Sequence, residues 1–545
     1  MAITAGFTRC SQNAGAAPAI EGHHQNKATL PPQWIIRRHH HSPPPADTGI
    51  AIGNRSRQSR PQMDYPPRRR RLLPVLMVLF FSGPAIRSLL AQDTGFPQKP
   101  NILLILADDL GYGEPGCYGQ EKILTPHLDR MAAEGRRFTQ FYAGSTVCAP
   151  SRSVLMTGQH TGHTTVRGNA GKGNPAAQTL LPGEPTVASL LKQAGYRTAL
   201  FGKWGLGDEP DGPGHPLKQG FTDFFGFLNQ QHAHNHFPSF LWRGSTRQTL
   251  QNDLTPIGEH GAGYSTNRVE FSDDLFVEEA VKFIGEPHDR PFFLFLSLVI
   301  PHANNERTRA LGDGMEVPDY GPYADKPWSN PHKGQAAAVT RIDSYAGRLR
   351  KALESAGLDR KTLVIFTSDN GPHAEGGNQP AFFKASGPHR GIKRSLTDGG
   401  IRVPFIAWMP GTIPSGTTNH PGYFGDIMAT AAELSGGTLP PNRDSLSLVP
   451  VLTGKGEAKR HPSLYWEFHE GGTSQAVLMD GRWKGLRLRR RSAPLELYDL
   501  QNDPGEASNI ASSQPAMVAR LTAILESARS ENPHWPLTDA PPEKK

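Results

Sequence analysis

The chain has 545 residues, enough for one large domain with an appendage or for two to three ordinary domains. Its net charge of +8 would favour nucleic acid or another acidic surface as partner, but residues 1–92 hold 12 Lys+Arg against 3 Asp+Glu, which leaves 46 against 47 in the remaining 453. A near-neutral globular part has no electrostatic footprint for DNA, and the leading expectation is a protein with no nucleic-acid partner.

Residues 1–62 are rich in Pro, Arg, His and Ser and have no apolar periodicity, so they read as a disordered leader. Arg68-Arg69-Arg70-Arg71 then precedes the apolar run Leu72–Phe81, followed by Ser82-Gly83-Pro84-Ala85. This is the order of a secretory signal, here over residues 63–92, and it is too short for a stable transmembrane span. Signals are normally N-terminal, so translation is expected to start at Met63, with 1–62 a start-site error. The protein is expected to be exported, periplasmic or extracellular. Of three cysteines, Cys10 lies in the leader. Cys117 and Cys148 could form a disulfide in an exported protein; the expectation is that Cys117 stays unpaired.

Asn101–Ala107 is a continuous apolar run ending at Asp108-Asp109, as in a strand buried on both faces with carboxylates at its C-terminal edge. Thr125-Pro126 opens a helix that Gly135 ends. Strands are predicted at Thr198–Gly202, Phe292–Leu298, Leu363–Thr367 and Val403–Trp408, with a helix over Ala336–Ala356. Alternation of strands and helices places the chain in the α/β class, with a mainly parallel central sheet flanked by helices over residues 93–455. After that the pattern changes. Leu464–Phe468, Ala476–Met479 and Trp483–Leu488 are short and turn-separated, and Met517–Ala528 is amphipathic. Residues 456–545 are therefore expected to form a smaller subdomain of antiparallel sheet plus helix, packed on the main domain.

Four strand ends carry polar groups: Asp108-Asp109, Lys203-Trp204, His302 and Asp369-Asn370. Singly, such residues are more often turns or caps. Converging at one sheet edge, they read as a site. Asp108, Asp109, Asp369 and Asn370 are hard oxygen donors suited to Ca²⁺, with Mg²⁺ as the alternative. Cys148-Ala149-Pro150-Ser151-Arg152, followed by Thr157-Gly158, sits where the chain enters a helix, whose free N–H groups favour an anion. On its own, Cys148 could equally be a buried thiol.

This stretch resembles the sulfatase signature C-x-P-S-R-x-x-x-x-T-G, in which the cysteine is oxidised to formylglycine. Further ordered segments resemble the type I sulfatases of the alkaline-phosphatase superfamily: Asp108–Gly113, Gly202-Lys203-Trp204, Ser368–Gly371, Gly391-Ile392-Lys393, Asp398–Pro404 and Glu496–Leu500. The resemblance implies hydrolysis of sulfate monoesters, on a sulfated carbohydrate or an aryl sulfate. It implies a formylglycine-generating enzyme as maturation partner and a Ca²⁺ site that includes residue 148. Arg152, Lys203, His302 and Lys393 match family residues that orient the hydrate or bind sulfate, with His302 or Lys393 as leaving-group acid and a carboxylate such as Asp369 assisting attack. Two competing readings are a phosphomonoester or phosphonate ester hydrolase and an inactive binder of sulfated glycans.

One position departs from the family. Many members carry G-K-W-H-x-G where this chain has Gly202-Lys203-Trp204-Gly205-Leu206-Gly207. His232, His234, His163 or His215 could reach the gap, or each could be a surface or substrate-pocket histidine. His163 and Asn169, close behind the signature, are candidates to meet the alcohol portion of the substrate, with His232 and His234.

Overall fold

Five strands with nearly continuous apolar sequence occupy the middle of the molecule. Asn101–Asp108, Phe292–Pro301 and Thr362–Ser368 are buried at every position, and Arg197–Lys203 and Asp223–Phe227 at all but the first. Two-sided burial requires apolar residues on both faces of each strand and suits a parallel sheet covered by helices. The five run parallel in the order 362–368, 101–108, 292–301, 197–203, 223–227. Five more strands widen the sheet to ten: Phe405–Trp408, Arg136–Phe138 and Gly416–Thr418 on one flank, Phe240–Arg243 and Thr246–Thr249 on the other, all paired antiparallel except Gly416–Thr418, which runs parallel to Arg136–Phe138. The predicted mainly parallel α/β sheet is present, and the strand expected from Val403 begins at Phe405 and runs antiparallel.

This computed structural model describes residues 95–170 and 174–539; the leader, the 63–92 signal segment and Cys10 lie outside the described residues. The described residues fall in one compact unit. Cys117 and Cys148 are both free thiols. Among the described residues, no helix is long and apolar enough to cross a membrane.

Period-two alternation along Asn101–Asp108 divides the core. Ile102, Leu104 and Leu106 pack with the helices Cys148–Thr157, Val187–Gln193 and Asp426–Ser435, whereas Leu103, Ile105 and Ala107 pack with Ser272–Gly285 and Asn330–Ser355. The last of these helices starts at Asn330 rather than Ala336. Ser329 caps it, accepting the His332 N–H, and Pro331 stands in its first turn, so a polar stretch without apolar periodicity is helical all the same.

Beyond residue 455 four strands, Ser463–Phe468, Ser474–Met479, Trp483–Arg487 and Glu496–Asp499, form an antiparallel sheet. Leu464, Trp466 and Phe468 join the main core, while Tyr465, Val477 and Leu497 face Leu521 and Leu525 of the helix Pro515–Ser527. The sheet is thus held between the large domain and a helix of its own. Buried Lys484 extends the contact with an ion pair to Asp398 at 2.6 Å.

Candidate active site

Parallel strands bring their C-terminal ends to one edge, and there Asp108, Lys203, His302 and Asp369 meet. In a regular strand, adjacent side chains point to opposite faces. Asp109 breaks this alternation with φ = 70°, and ligand atoms of Asp108, Asp109, Cys148 and His302 all lie within 4.8 Å of one another. The helix Cys148–Thr157 enters this group with residue 148 in its first turn and ends on Gly158, whose φ of 67° is left-handed. Every residue of that helix is buried. Ser151 Oγ donates to the Asp369 carbonyl at 2.5 Å, and Asn169 Oδ1 accepts the Ala149 N–H at 3.2 Å, which fixes where residue 148 stands.

Three buried cations cross this edge. Lys203 Nζ lies 2.5 Å from Asp108 Oδ2. Arg152 donates to Asp369 Oδ2 through Nε and a terminal nitrogen at 3.1 and 2.9 Å, and also reaches the Lys203 carbonyl and Ser297. Lys393 Nζ is shared among Asp109 Oδ2 (2.7 Å), His302 Nε2 (3.0 Å) and Glu375 Oε2 (3.2 Å). Burial pushes Asp108 up, but the positive charges of Lys203, Arg152 and Lys393 outweigh it and hold the carboxyl well below the usual range. Burial and the Asp108 charge push Asp369 up to about 7. His302 is pushed well down by burial and by Lys393. Its Nδ1 faces the Ala303 carbonyl, which only accepts, so Nδ1 carries the hydrogen and Nε2 is a lone-pair acceptor toward Lys393. Burial, then Asp108, pushes the Cys148 thiol up, and its Sγ lies 3.5 Å from Asp108 Oδ1. The carboxylate against residue 148 is therefore Asp108. Asp369 accepts from Arg152 and from the Asp109 N–H.

The donor set fits a hard cation. Asp108, Asp109, Asp369 and Asn370 are all fully buried oxygen donors. Asn370 Nδ2 donates to Asp109 Oδ1 and the Gly371 carbonyl, which leaves Asn370 Oδ1 buried with no partner. An unpaired buried acceptor costs about 1–3 kcal/mol, which a cation in this cage would offset.

A cavity of about 840 Å³ opens over residue 148. Asn169, Gln230, His234, His302 and Lys393 line it, as do Glu470 and Trp535 from the C-terminal part. His234 stacks on His302 with ring centres 5.0 Å apart and binds Glu306 at 3.0 Å. The other histidines offered for the gap are elsewhere. His232 is wedged between Phe227 and Phe240, His163 faces Asp444 at 2.9 Å, and His215 closes its own turn on the Leu217 N–H. Gly205 itself has φ = 74°, and a Cβ there would stand 2.4 Å from Gln230 Nε2. Gln230 thus fills the space of the missing side chain. Sequence reading overlooked Glu375, although it lies five residues beyond Asn370 in the same post-strand loop; Glu470 and Trp535 are brought from the far end of the chain and had no local signal.

The family model described as Sulfatase matches residues 100–437, and the one described as N-sulphoglucosamine sulphohydrolase, C-terminal, matches residues 390–531. The N-acetylgalactosamine-6-sulfatase of Sus scrofa is 35% identical over 406 residues, covering 72% of each chain. Arylsulfatase A of Homo sapiens is 31% identical over 463 residues, covering 77% of this chain and 85% of that one. Among solved structures, Ps i-CgsB in complex with k-i-k-neocarrahexaose superposes with a TM-score of 0.65 at 26% identity, over 81% of this chain and 95% of that one. A match over more than half the length, and relatives of this identity across most of it, agree with the strand-edge geometry: the chain belongs to the sulfatase family and is a sulfuric ester hydrolase.

Proposed function

We propose that the protein is an exported sulfatase that acts on a sulfated carbohydrate through formylglycine at residue 148 and a Ca²⁺ held by Asp108, Asp109, Asp369 and Asn370. The observation that carries this reading is the meeting of Cys148 with those four oxygen donors and three buried cations at one sheet edge. A thiol pushed up by burial and by a carboxylate is a poor nucleophile, so the unmodified residue is unsuited to attack sulfur. The bound cation would supply polarisation of the sulfate, and the hydrated formylglycine a nucleophilic hydroxyl plus a second one that permits release of sulfate.

The chain's own residues do the rest. Arg152 and Lys203 place fixed positive charge where negative charge develops. Asp108, against residue 148, orients the attacking hydroxyl, and Asp369, whose carboxyl is pushed up to about 7 by burial and by Asp108, takes its proton. Lys393 carries the proton for the departing alcohol, and His302, neutral with Nε2 turned to Lys393, aligns that ammonium. His234 and Glu306 set the plane of the His302 ring.

Carbohydrate substrates are supported by the relatives: one is named N-acetylgalactosamine-6-sulfatase and one was crystallised with k-i-k-neocarrahexaose. The test is peptide mass analysis around residue 148 from the native host, coupled to sulfate release from sulfated oligosaccharides and phosphate release from matched phosphomonoesters. Formylglycine mass with sulfate release preferred is expected. A thiol-mass peptide in active enzyme, or full turnover by Cys148→Ser, which lacks the second hydroxyl, overturns the mechanism. Faster phosphate release overturns the substrate class. Export is tested by the N-terminus of the secreted protein, expected near residue 92.

A further inference from the structure

Next to the catalytic cavity lies a second one of about 670 Å³, and the two share Arg394, Glu470 and Gly471. Leu396, Phe468 and Leu488 give it apolar walls, and Arg489 and Arg490 add positive charge. Arg394 is already answered by Glu375 and by Glu470, the latter at 3.0 Å. Among the described residues, the Arg489 guanidinium has no hydrogen bond or ion pair, and both Arg489 and Arg490 are exposed. With Arg394 already answered, Arg489 and Arg490 leave the cavity positively charged.

The backbone holds these charges in place at a conformational cost. Arg394 and Arg489 both adopt left-handed φ, 71° and 65°, which side chains with a Cβ rarely do. Arg489 is clamped on both sides of the hairpin's open end: its N–H donates to Ser474 Oγ at 2.9 Å and its carbonyl accepts the Thr473 N–H at 3.1 Å. Gly472 completes the clamp, since a Cβ there would lie 2.4 Å from the Arg489 carbonyl. The same hairpin end presents Glu470 to the catalytic cavity and Arg489-Arg490 to its neighbour. Apolar walls suit the face of a pyranose ring, and the exposed guanidinium groups of Arg489 and Arg490 suit a sulfate or carboxylate on it.

We propose that this adjoining cavity is an anion subsite for the sugar unit next to the one that loses its ester, so that the preferred substrate is a polyanionic oligosaccharide. The inference rests on the sulfated-carbohydrate reading above.

The test uses matured full-length enzyme, with formylglycine verified, on four substrates: a small aryl sulfate, a singly sulfated disaccharide, and the same disaccharide with a second sulfate or a carboxylate on the neighbouring unit. Wild type is compared with Arg490→Gln and with Arg489→Gln/Arg490→Gln. The expected result is a kcat/KM advantage of about tenfold for the doubly anionic disaccharides, carried by KM, reduced by added salt and lost in the double variant. The two anionic substrates report whether sulfate or carboxylate is preferred. Turnover of aryl sulfate checks the fold of each variant; if the double variant fails that check, Arg490→Gln decides, with a smaller loss of the same kind. Sulfate release with no preference for a second anion, or a preference that survives both variants, overturns this inference alone. No release from any of the four overturns the proposed function as well.

Discussion

Gly205→Ala probes the position where this chain departs from the family pattern G-K-W-H-x-G. Two costs follow from the structure. At φ = 74° a residue with Cβ loses roughly 1–2 kcal/mol against glycine. The backbone cannot relax to avoid this, because the Gly205 N–H donates to the Leu228 carbonyl at 3.0 Å and the Gly205 carbonyl accepts from Gln178 at 3.3 Å. The steric cost is smaller. The new Cβ would stand 2.4 Å from Gln230 Nε2, but that atom is the end of a flexible side chain, has no hydrogen-bond partner to lose and borders an open cavity. Displacing it is worth under about 1 kcal/mol. The sum, about 1–3 kcal/mol, is read from urea denaturation as a fall in midpoint at unchanged slope. Gln230→Ala in the same background should recover only the steric part, giving a coupling energy of about 0.5–1 kcal/mol in the double-mutant cycle. An unchanged midpoint for Gly205→Ala would refute the left-handed requirement, and zero coupling would refute the placement of Gln230 in the gap.

Glu467 predicts a second stability effect. It is fully buried and faces Arg167 at 3.2 Å, Arg529 at 2.9 Å, His469 at 3.1 Å and the Tyr465 hydroxyl at 2.9 Å. Glu467→Gln leaves two guanidinium groups short of a counter-charge, and a loss of about 3–5 kcal/mol is expected in the same denaturation assay. Burial raises the Glu467 carboxyl, but His469, Arg167 and Arg529 outweigh it and hold it at about 2, against an ordinary 4.5. A depressed acid stabilises the folded state fully above the ordinary value and loses that contribution as pH falls toward about 2, on the order of 3 kcal/mol. The wild-type midpoint should therefore drop over that window more steeply than that of Glu467→Gln. For the metal cage, Ca²⁺ added to chelated protein should raise the melting temperature, and Asn370→Ala should weaken the calorimetric Ca²⁺ affinity by about tenfold or more. Equal affinities would remove Asn370 from the cage.

The strand ends were legible because a parallel sheet leaves few choices: a continuous apolar run followed by Asp108-Asp109 fixes both the strand and the edge at which its acids emerge. What the pattern could not supply was direction within a loop. His232 and His234 are two residues apart in a tight 3₁₀ turn of about three residues, so they point to different sides. One is sealed among aromatics while the other reaches His302. Short turn-separated runs also located three of the four C-terminal strands, yet they carry no information on which remote loop will face residue 148. Glu470 and Trp535 reach the cavity through tertiary packing alone. Asn169 was found by its proximity to the signature, and the structure gives it a more specific task, holding the first turn of the signature helix.

Charge balance explains why a neutral hydrate suits this edge better than a thiolate. At the strand edge itself Asp108, Asp109 and Asp369 face Arg152, Lys203 and Lys393, three carboxylates against three cations, with His302 uncharged. A thiolate at 148 would bring the set to one net negative charge, and its nearest neighbour is Asp108 at 3.5 Å. In such surroundings two like charges about 4 Å apart repel by roughly 4 kcal/mol at an effective dielectric of 20. A divalent cation in the oxygen cage would move the balance the other way, to two positive charges. A sulfate monoester neutralises one of them and free sulfate dianion both. The arrangement therefore complements negative charge most fully when it has grown beyond that of the bound ester, which is the direction in which cleavage of the ester bond proceeds.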